Sequence, residues 1–220
     1  MKNIMLPVLC LILSVRSIAQ RIHYGVGAGV SSYNISGEAT TNLKQLLNFT
    51  NGIVSTGPVT GFYGGGYANI SLGNNLSVEP GLNYSTKGYA IAGSYTVKGF
   101  DILSANAKAA LHSSYIEIPL ILKANIKGLQ IFAGPQLSYL TNANVNTSAG
   151  FAGINLYQGN MDITSQLNRW DAAIIAGVGY QFTNGVRLTS LYERGLSNVN
   201  AGQNIKSYNE GFKIGAGINF

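Results

Sequence analysis

The first residues to consider for chemistry are His112, Ser113 and Ser114, because a serine beside a histidine can form a nucleophilic couple. His112 and Ser114 are two positions apart, so in a strand they would lie on the same face. A working couple also needs a third group, usually a carboxylate, to orient the histidine. No carboxylate is evident on that face. We therefore interpret these residues as polar side chains at a junction between a loop and a strand.

Metal, phosphate and thiol chemistry have little support in the sequence. The two histidines, His23 and His112, are distant from each other, and the single cysteine, Cys10, lies in a segment that we expect to be removed. Two distant histidines do not make a metal site. The glycines in Gly25-x-Gly27-x-Gly29 lack the following helix of a phosphate-binding loop. We expect no cofactor, no metal and no disulfide in the mature chain.

The N-terminus has the pattern of a secretory signal peptide. Lys2 supplies positive charge, an apolar run extends from Ile4 to Val15, and Ser17-Ile18-Ala19 offers small residues where a signal peptidase reads. The apolar run is shorter than the roughly 20 residues that a membrane-spanning helix needs. We expect residues 1–19 to be cleaved and residues 20–220 to form one domain.

The composition is unusual for a soluble domain. Charged residues make up 10% of the chain, and there are 28 glycines and 13 tyrosines, whereas about 25% of a soluble domain is charged. A barrel whose outer face meets lipid explains the low charge, because about half of each strand cannot be charged. The net charge of +6 is spread over single residues without a basic run, so nucleic acid is not an expected partner.

Apolar residues alternate with small or polar residues in segment after segment. Ile22, Tyr24 and Val26, for example, alternate with His23 and Gly25. Alternation places one set on each face of a strand, and in a membrane barrel the apolar set faces lipid. Eight segments have this pattern: 22–31, 59–71, 76–87, 114–126, 129–140, 170–182, 186–195 and 209–220.

The connections between these segments alternate between short turns and long loops. Residues 72–75, 127–128 and 183–185 contain Gly and Asn in hairpin-turn combinations, and the other four connections are much longer. The sequence therefore predicts an all-β, eight-stranded antiparallel up-and-down transmembrane β-barrel with short periplasmic turns and long extracellular loops. Such a barrel belongs in the outer membrane of a Gram-negative bacterium. Its interior is only wide enough for side chains, so we expect no open pore.

Charged residues on the lumen side of the predicted strands form a candidate network. An unpaired charge there would be costly, so we expect cross-strand pairs, Glu79 with Lys123 and Glu193 with Lys213, to plug the lumen. An ion path is the functional alternative. The lumen-facing charged residues are Glu79, Glu117, Lys123, Asp171, Arg187, Glu193 and Lys213.

Aromatic residues on the lipid-facing side gather near the two ends of the strands, as membrane interfaces favour. Phe220 also ends the chain on an outward position, where the barrel-assembly machinery would read it. The expected partners are therefore that machinery and outer-membrane lipids. The predicted interface aromatics are Phe62, Tyr84, Tyr139, Tyr192 and Phe212 at the outer end, and Tyr24, Tyr180, Phe182 and Phe220 at the periplasmic end.

Several stretches of the chain resemble the PorT-like outer-membrane β-barrel family. They are 75–88, 115–120, 132–135, 176–180 and 215–220, and together the resemblance covers nearly all of the mature chain. The resemblance implies the same barrel fold. It implies no activity, and the association of the name-giving member with a secretion system is not carried over.

Binding would take place in the long loops. One loop contains Asn42–Phe49, which has the pattern of a short amphipathic helix, and another carries Tyr95, Val97 and Phe100, where the strands could extend beyond the membrane. We expect a non-enzymatic barrel with a structural, adhesive or complex-forming role. Two alternatives stay open: a lipid-modifying outer-membrane enzyme that uses His112 and Ser114, and a soluble lipocalin-like barrel whose apolar residues point inward.

Overall fold

The computed structural model describes residues 22–38, 54–96, 104–152, 154–202 and 206–220. Among these residues no helix has the length and apolarity to cross a bilayer. A short 3-10 turn, Thr164–Gln166, precedes β7. The strands are β1 (Ile22–Gly37), β2 (Val54–Ser71), β3 (Leu76–Thr96), β4 (Ser104–Ile126), β5 (Leu129–Phe151), β6 (Ile154–Asp162), β7 (Trp170–Gln181), β8 (Val186–Gly195) and β9 (Ser207–Asn219).

Eight of these strands close into a ring of antiparallel neighbours. The sheet order is β4-β3-β2-β1-β9-β8-β7-β5-β6, and β4 also pairs with β5, which closes the ring without β6. The first strand pairs with the last from Gly25 opposite Asn219 to Gly37 opposite Ser207. The predicted up-and-down barrel is confirmed. Closure matters because an open sheet edge would leave backbone groups without hydrogen-bond partners in hydrocarbon.

The two faces of the strands differ as a membrane barrel requires. Outward residues are apolar and exposed, for example Leu120 at 49% and Val178 at 52%, whereas inward Glu117 and Glu193 have no exposed surface. Apolar side chains that cover the outside can be stabilised only by a non-aqueous surrounding. The facing is the opposite of that expected for a lipocalin-like barrel with an apolar interior.

Strands β3, β4 and β5 run well past the predicted ends of their segments. Thr96 pairs with Ser104, and Phe151 pairs with Ala105, so the hairpins continue where the sequence predicts loops. The ninth strand, β6, was not predicted. It pairs with the upper half of β5, from Asn144 opposite Asp162 to Phe151 opposite Ile154. The upper parts of β3, β4 and β5 together with β6 form a sheet beyond the barrel, which we call the outer sheet.

The outer sheet was missed because its two faces exchange polarity at the end of the barrel. Above Tyr139, the inward residues of β5 are apolar, with Leu140 and Ala143 fully buried. The outward residues include the polar side chains Asn142, Asn144 and Asn146. A β-bulge also inserts Thr141, since Tyr115 pairs with Leu140 whereas Ser114 pairs with Asn142. The apolar-outward pattern that marked the predicted segments therefore ends at this point.

The outer end of the lumen is covered by the chain itself. Leu111, Tyr115, Leu140 and Ala143 form a buried apolar cluster, against which Leu167 and other side chains pack. Three predicted features lie outside the described residues and are not addressed by the fold. These are the signal peptide (residues 1–19), the amphipathic segment Asn42–Phe49, and the loop positions Val97 and Phe100.

Candidate functional site

The upper part of the lumen contains a cluster of alternating charges. Lys87 contacts Glu193 and lies 3.0 Å from Glu117, while Lys213 lies 2.5 Å from Glu117 and 3.4 Å from Glu193. Each ammonium group therefore bridges both carboxylates. Hydrogen bonds from the Tyr33 hydroxyl (2.5 Å) and from the Gln136 amide (3.0 Å) complete the shell of Glu193. These contacts compensate charges that would otherwise be costly to bury.

A second cluster lies nearer the periplasmic end. Glu79 accepts hydrogen bonds from Lys123, from Arg187 at 2.7 Å and from the Asn69 amide at 3.3 Å. The Arg187 guanidinium also lies 4.1 Å from the centre of the Tyr67 ring, within cation–π distance. A cavity of about 70 Å³ borders this cluster, and Glu79, Lys123 and Arg187 are among its lining residues.

Both ion pairs that the sequence analysis names are present, although the partners are not directly opposite. Glu79 is two positions from Ser77, which pairs with Lys123, and Glu193 is two positions from Leu191, which pairs with Lys213. Each pair is thus a diagonal contact between neighbouring strands. Long side chains reach across such diagonals readily.

Asp171 is the one predicted member of the network without an ion pair among the described residues. It is 4% exposed, and its Oδ2 accepts a hydrogen bond of 2.7 Å from the Asn209 amide. No described atom hydrogen-bonds to its Oδ1. Asp171 therefore stands beside the upper cluster but is not a bridging member of it.

Lys87 is the member of the network that the sequence analysis missed. It lies at the end of the predicted segment 76–87. Because Lys87 is an even number of positions from Glu79 on the same strand, the period of two places both side chains in the lumen. With Lys87 included, the buried carboxylates and the buried cations of the described chain are equal in number. They are Glu79, Glu117, Asp171 and Glu193, and Lys87, Lys123, Arg187 and Lys213.

Tyrosine rings and glycines fill the remaining space on one side of the lumen. A Cβ atom on Gly25 would lie 2.3 Å from the Tyr67 ring, and one on Gly215 would lie 2.3 Å from the Tyr63 hydroxyl. The glycines of β1 and β9 therefore leave room for rings that reach across from β2. The lysine ammonium groups lie over such rings, with Lys213 5.4 Å from the centre of Tyr63.

The predicted interface aromatics lie on the outward face, and most of them contact another aromatic side chain. Phe62 contacts Tyr84, Tyr192 contacts Phe212, and Tyr180 contacts Phe182, with ring centres 5.0–5.9 Å apart. Tyr139 contacts Trp170, an outer-end aromatic that the sequence analysis did not name. Phe220 is joined to Tyr24 by two backbone hydrogen bonds, so the terminal residue extends the seam between β9 and β1.

His112 and Ser114 share the outward face of β4, as their spacing indicates. The Ser114 hydroxyl accepts a hydrogen bond of 2.9 Å from the Tyr84 hydroxyl. Within the described part of the chain, no hydrogen bond joins His112 to Ser114 or to a carboxylate. The group that would orient a catalytic histidine is thus missing from the described residues.

One carboxylate outside the membrane-spanning strands has a shifted pKa. The hydroxyl of Thr164 donates to Asp162 Oδ1 at 2.5 Å and its backbone N–H donates to the same oxygen at 2.8 Å. Both bonds favour the charged form and lower the pKa of Asp162 below its ordinary value. Asp162 therefore anchors the turn that follows β6.

Comparison with known proteins places this geometry among membrane barrels. The family model described as outer membrane protein beta-barrel domain matches residues 16–201. No curated protein has a significant match to the chain.

Among solved structures, Neisserial surface protein A is similar with 14% identity and a TM-score of 0.46, over 90% of this chain and 97% of that chain. The attachment invasion locus protein of Yersinia pestis has 10% identity and a TM-score of 0.43, over 90% and 98%. The outer membrane protein OprG from Pseudomonas aeruginosa has 10% identity and a TM-score of 0.43, over 91% and 97%.

Proposed function

We propose that this chain, which belongs to the outer membrane protein β-barrel domain family and lies in the bacterial outer membrane, is a non-enzymatic barrel. Its lumen is filled by side chains and anchors the outer sheet outside the cell. Its role is then structural, adhesive or accessory to an envelope complex. The observation that carries the proposal is the pair of ion clusters across the lumen, at Glu193 and at Glu79. Eight strands leave little room beside such side chains.

The permeability of the barrel to small solutes tests whether its lumen is filled. In liposome swelling with small sugars, we expect the purified protein to admit solute no faster than protein-free liposomes. A wider porin in the same liposomes is the positive control. Solute entry at a rate proportional to the protein content would contradict a filled lumen.

Labelling on intact cells tests the direction of the outer sheet. We expect a cysteine at Gln158, which is exposed on β6, to react with a membrane-impermeant maleimide. A cysteine at Asn74, in the turn between β2 and β3, is the matched control and should react only after the outer membrane is permeabilised. The reverse pattern would place the outer sheet in the periplasm and end the proposal.

Three finer assignments belong to the same proposal. Membership of the PorT-like group within the family rests on the stretches such as Tyr115–Leu120 and Phe132–Pro135. Export through a cleaved signal peptide over residues 1–19 rests on the charge and apolarity of that segment. Recognition of Phe220 by the barrel-assembly machinery rests on its outward position at the end of β9.

A further inference from the structure

The outward face of the outer sheet carries a ladder of asparagines. Asn142, Asn144 and Asn146 alternate along β5, and Asn160 lies beside them on β6, opposite Asn146. All four side chains are exposed or half-buried. They continue the same outward face that, lower on β5, presents Leu137 and Tyr139 to lipid.

The asparagine side chains of the ladder are hydrogen-bonded to each other in two pairs. The Asn144 amide nitrogen donates to Asn142 Oδ1 at 2.5 Å, and the Asn160 amide nitrogen donates to Asn146 Oδ1 at 2.8 Å. Each pair consumes one donor and one acceptor, so an NH₂ group on one member and a carbonyl oxygen on the other remain available. The two pairs thus present fixed, alternating donors and acceptors.

A shallow groove of about 490 Å³ borders the upper pair of the ladder, because Asn146 and Asn160 are among its lining residues. The small residues Ala110 and Gly159 also line the groove, together with His112. Lys108 supplies the only formal charge among the lining residues. Asp162, at the lower edge opposite Asn144, is already engaged by Thr164. The groove is therefore almost neutral and rich in hydrogen-bonding groups.

The height of the ladder above the aromatic girdle indicates which layer of the outer leaflet it faces. With a rise of about 3.3 Å per residue, a strand tilt of about 40° and one residue taken up by the bulge at Thr141, Asn142 to Asn146 lie roughly 5 to 15 Å above the aromatic girdle at Tyr139. In an outer-leaflet glycolipid the acylated disaccharide lies directly above the acyl chains, and the core sugars attached to it occupy the layer above. Sugar hydroxyls both donate and accept hydrogen bonds, which matches the alternating amide groups.

We propose that the asparagine ladder and its groove bind the core sugars of an outer-leaflet glycolipid, which lie beyond the phosphorylated disaccharide that carries its acyl chains. The lipid-facing surface of β4 and β5 would then continue upward into a sugar-binding surface, with acyl chains below Tyr139 and saccharide above it. The inference rests on the proposed function only in that the outer sheet must lie outside the outer leaflet.

Native mass spectrometry of the refolded protein in detergent tests this assignment. The probes are rough lipopolysaccharide, which carries core sugars, lipid A, which lacks them, and phosphatidylglycerol. We expect the protein to bind rough lipopolysaccharide more tightly than the other two. Replacing Asn146 and Asn160 by Ala should weaken that binding about thirtyfold, because two hydrogen bonds of ordinary strength to the sugars are lost. Binding of lipid A should not change.

The matched control is Asn74→Ala with Asn184→Ala, two exposed asparagines in periplasmic turns, which should leave all three affinities unchanged. Heat-modifiable migration verifies that each variant is folded. If the first variant fails to fold, the second is Ala110→Gln, which places a larger side chain in the groove lining without removing an asparagine and should also weaken binding of rough lipopolysaccharide. Equal affinity for rough lipopolysaccharide and lipid A, or unchanged affinity in a folded variant, would overturn the inference. Either result would leave the proposed function intact, since impermeability and cell-surface labelling are measured separately.

Discussion

At the scale of single residues, the lumen shows how charge can be buried in a membrane protein. Lys87 and Lys213 each bridge Glu117 and Glu193, and Tyr33 and Gln136 take up remaining lone pairs. Removing one member of such a set leaves another charge buried without compensation. A buried pair therefore need not add much stability when intact, yet it is costly to break.

Glu193→Ala should destabilise the barrel by about 3–5 kcal/mol, because Lys87 and Lys213 both lose a carboxylate in a buried site. The matched control is Glu210→Ala. Glu210 pairs with Arg194 on the exposed side of the same strands, where the arginine side chain is 46% exposed. An exposed pair contributes about 0–1 kcal/mol. Urea unfolding in phospholipid vesicles measures both variants, and equal losses would contradict a buried role for Glu193.

Lys87 and Glu117 should be energetically coupled. Lys87→Met leaves Glu117 and Glu193 with one cation between them, so we expect a loss of about 3–5 kcal/mol. Adding Glu117→Gln removes the surplus carboxylate, and the double variant should lose about 1–3 kcal/mol less than the sum of the single variants. A double-mutant cycle on unfolding free energies measures this. Strict additivity would show that Lys87 acts through its volume alone.

At the scale of elements, the seam between β1 and β9 closes the barrel and depends on close backbone approach. A Cβ atom on Gly29 would lie 2.1 Å from the Ile214 carbonyl oxygen, which is backbone and cannot swing away. The seam also joins the first and last strands of the chain, so the ring can close only after the whole domain has been made. A side chain added at Gly29 is therefore expected to hinder the pairing of β1 with β9 that closes the barrel.

Gly29→Ala should destabilise the barrel by about 1–3 kcal/mol through forced displacement of β1 from β9. Gly57→Ala is the control, because a Cβ atom on Gly57 in β2 meets nothing within 4 Å. That change should be neutral or should stabilise by about 0.4–1 kcal/mol by restricting the unfolded chain. The fraction of protein that migrates as the compact form after heating at increasing temperatures measures the difference. A loss of similar size in both variants would mean that the seam tolerates a methyl group.

The elements also show where sequence reasoning succeeded. The sixth and seventh predicted segments, 170–182 and 186–195, match β7 and β8 almost to the residue. Both strands end near the girdle, so apolar-outward alternation describes their whole length. The pattern fails at Asn142, where the outward face becomes polar and a bulge shifts the count by one. β6 pairs only with the part of β5 above this point, from Asn144 to Phe151, so it is not among the segments that the apolar-outward pattern identifies.

At the scale of the whole molecule, the sequence predicts that the lumen holds paired charges, but it does not predict which side chains meet across the ring. The period of two places Glu79 and Lys123 in the lumen, and their similar heights, counted from the periplasmic ends of adjacent strands, predict the pair that is present. Which side chains meet across the ring depends on ring closure, which brings Lys87 of β3 to Glu193 of β8. Strands that are not neighbours meet in this contact, and alternation within one strand carries no information about such contacts.

The orientation of the strand faces decides whether the molecule is a membrane barrel at all. Leu120 and Val178 are about half exposed on the outward face of β4 and β7. Nitroxide labels at these two positions in a bilayer should collide with oxygen, which concentrates in hydrocarbon, far more often than with a water-soluble nickel relaxant. A label at Gln158 of β6 is the control and should show the opposite preference, because that strand lies beyond the aromatic girdle. If labels at Leu120 and Val178 were relaxed mainly by nickel, these surfaces would face water, and the lipid-facing belt, the filled lumen and the sugar-binding ladder would all lose their basis.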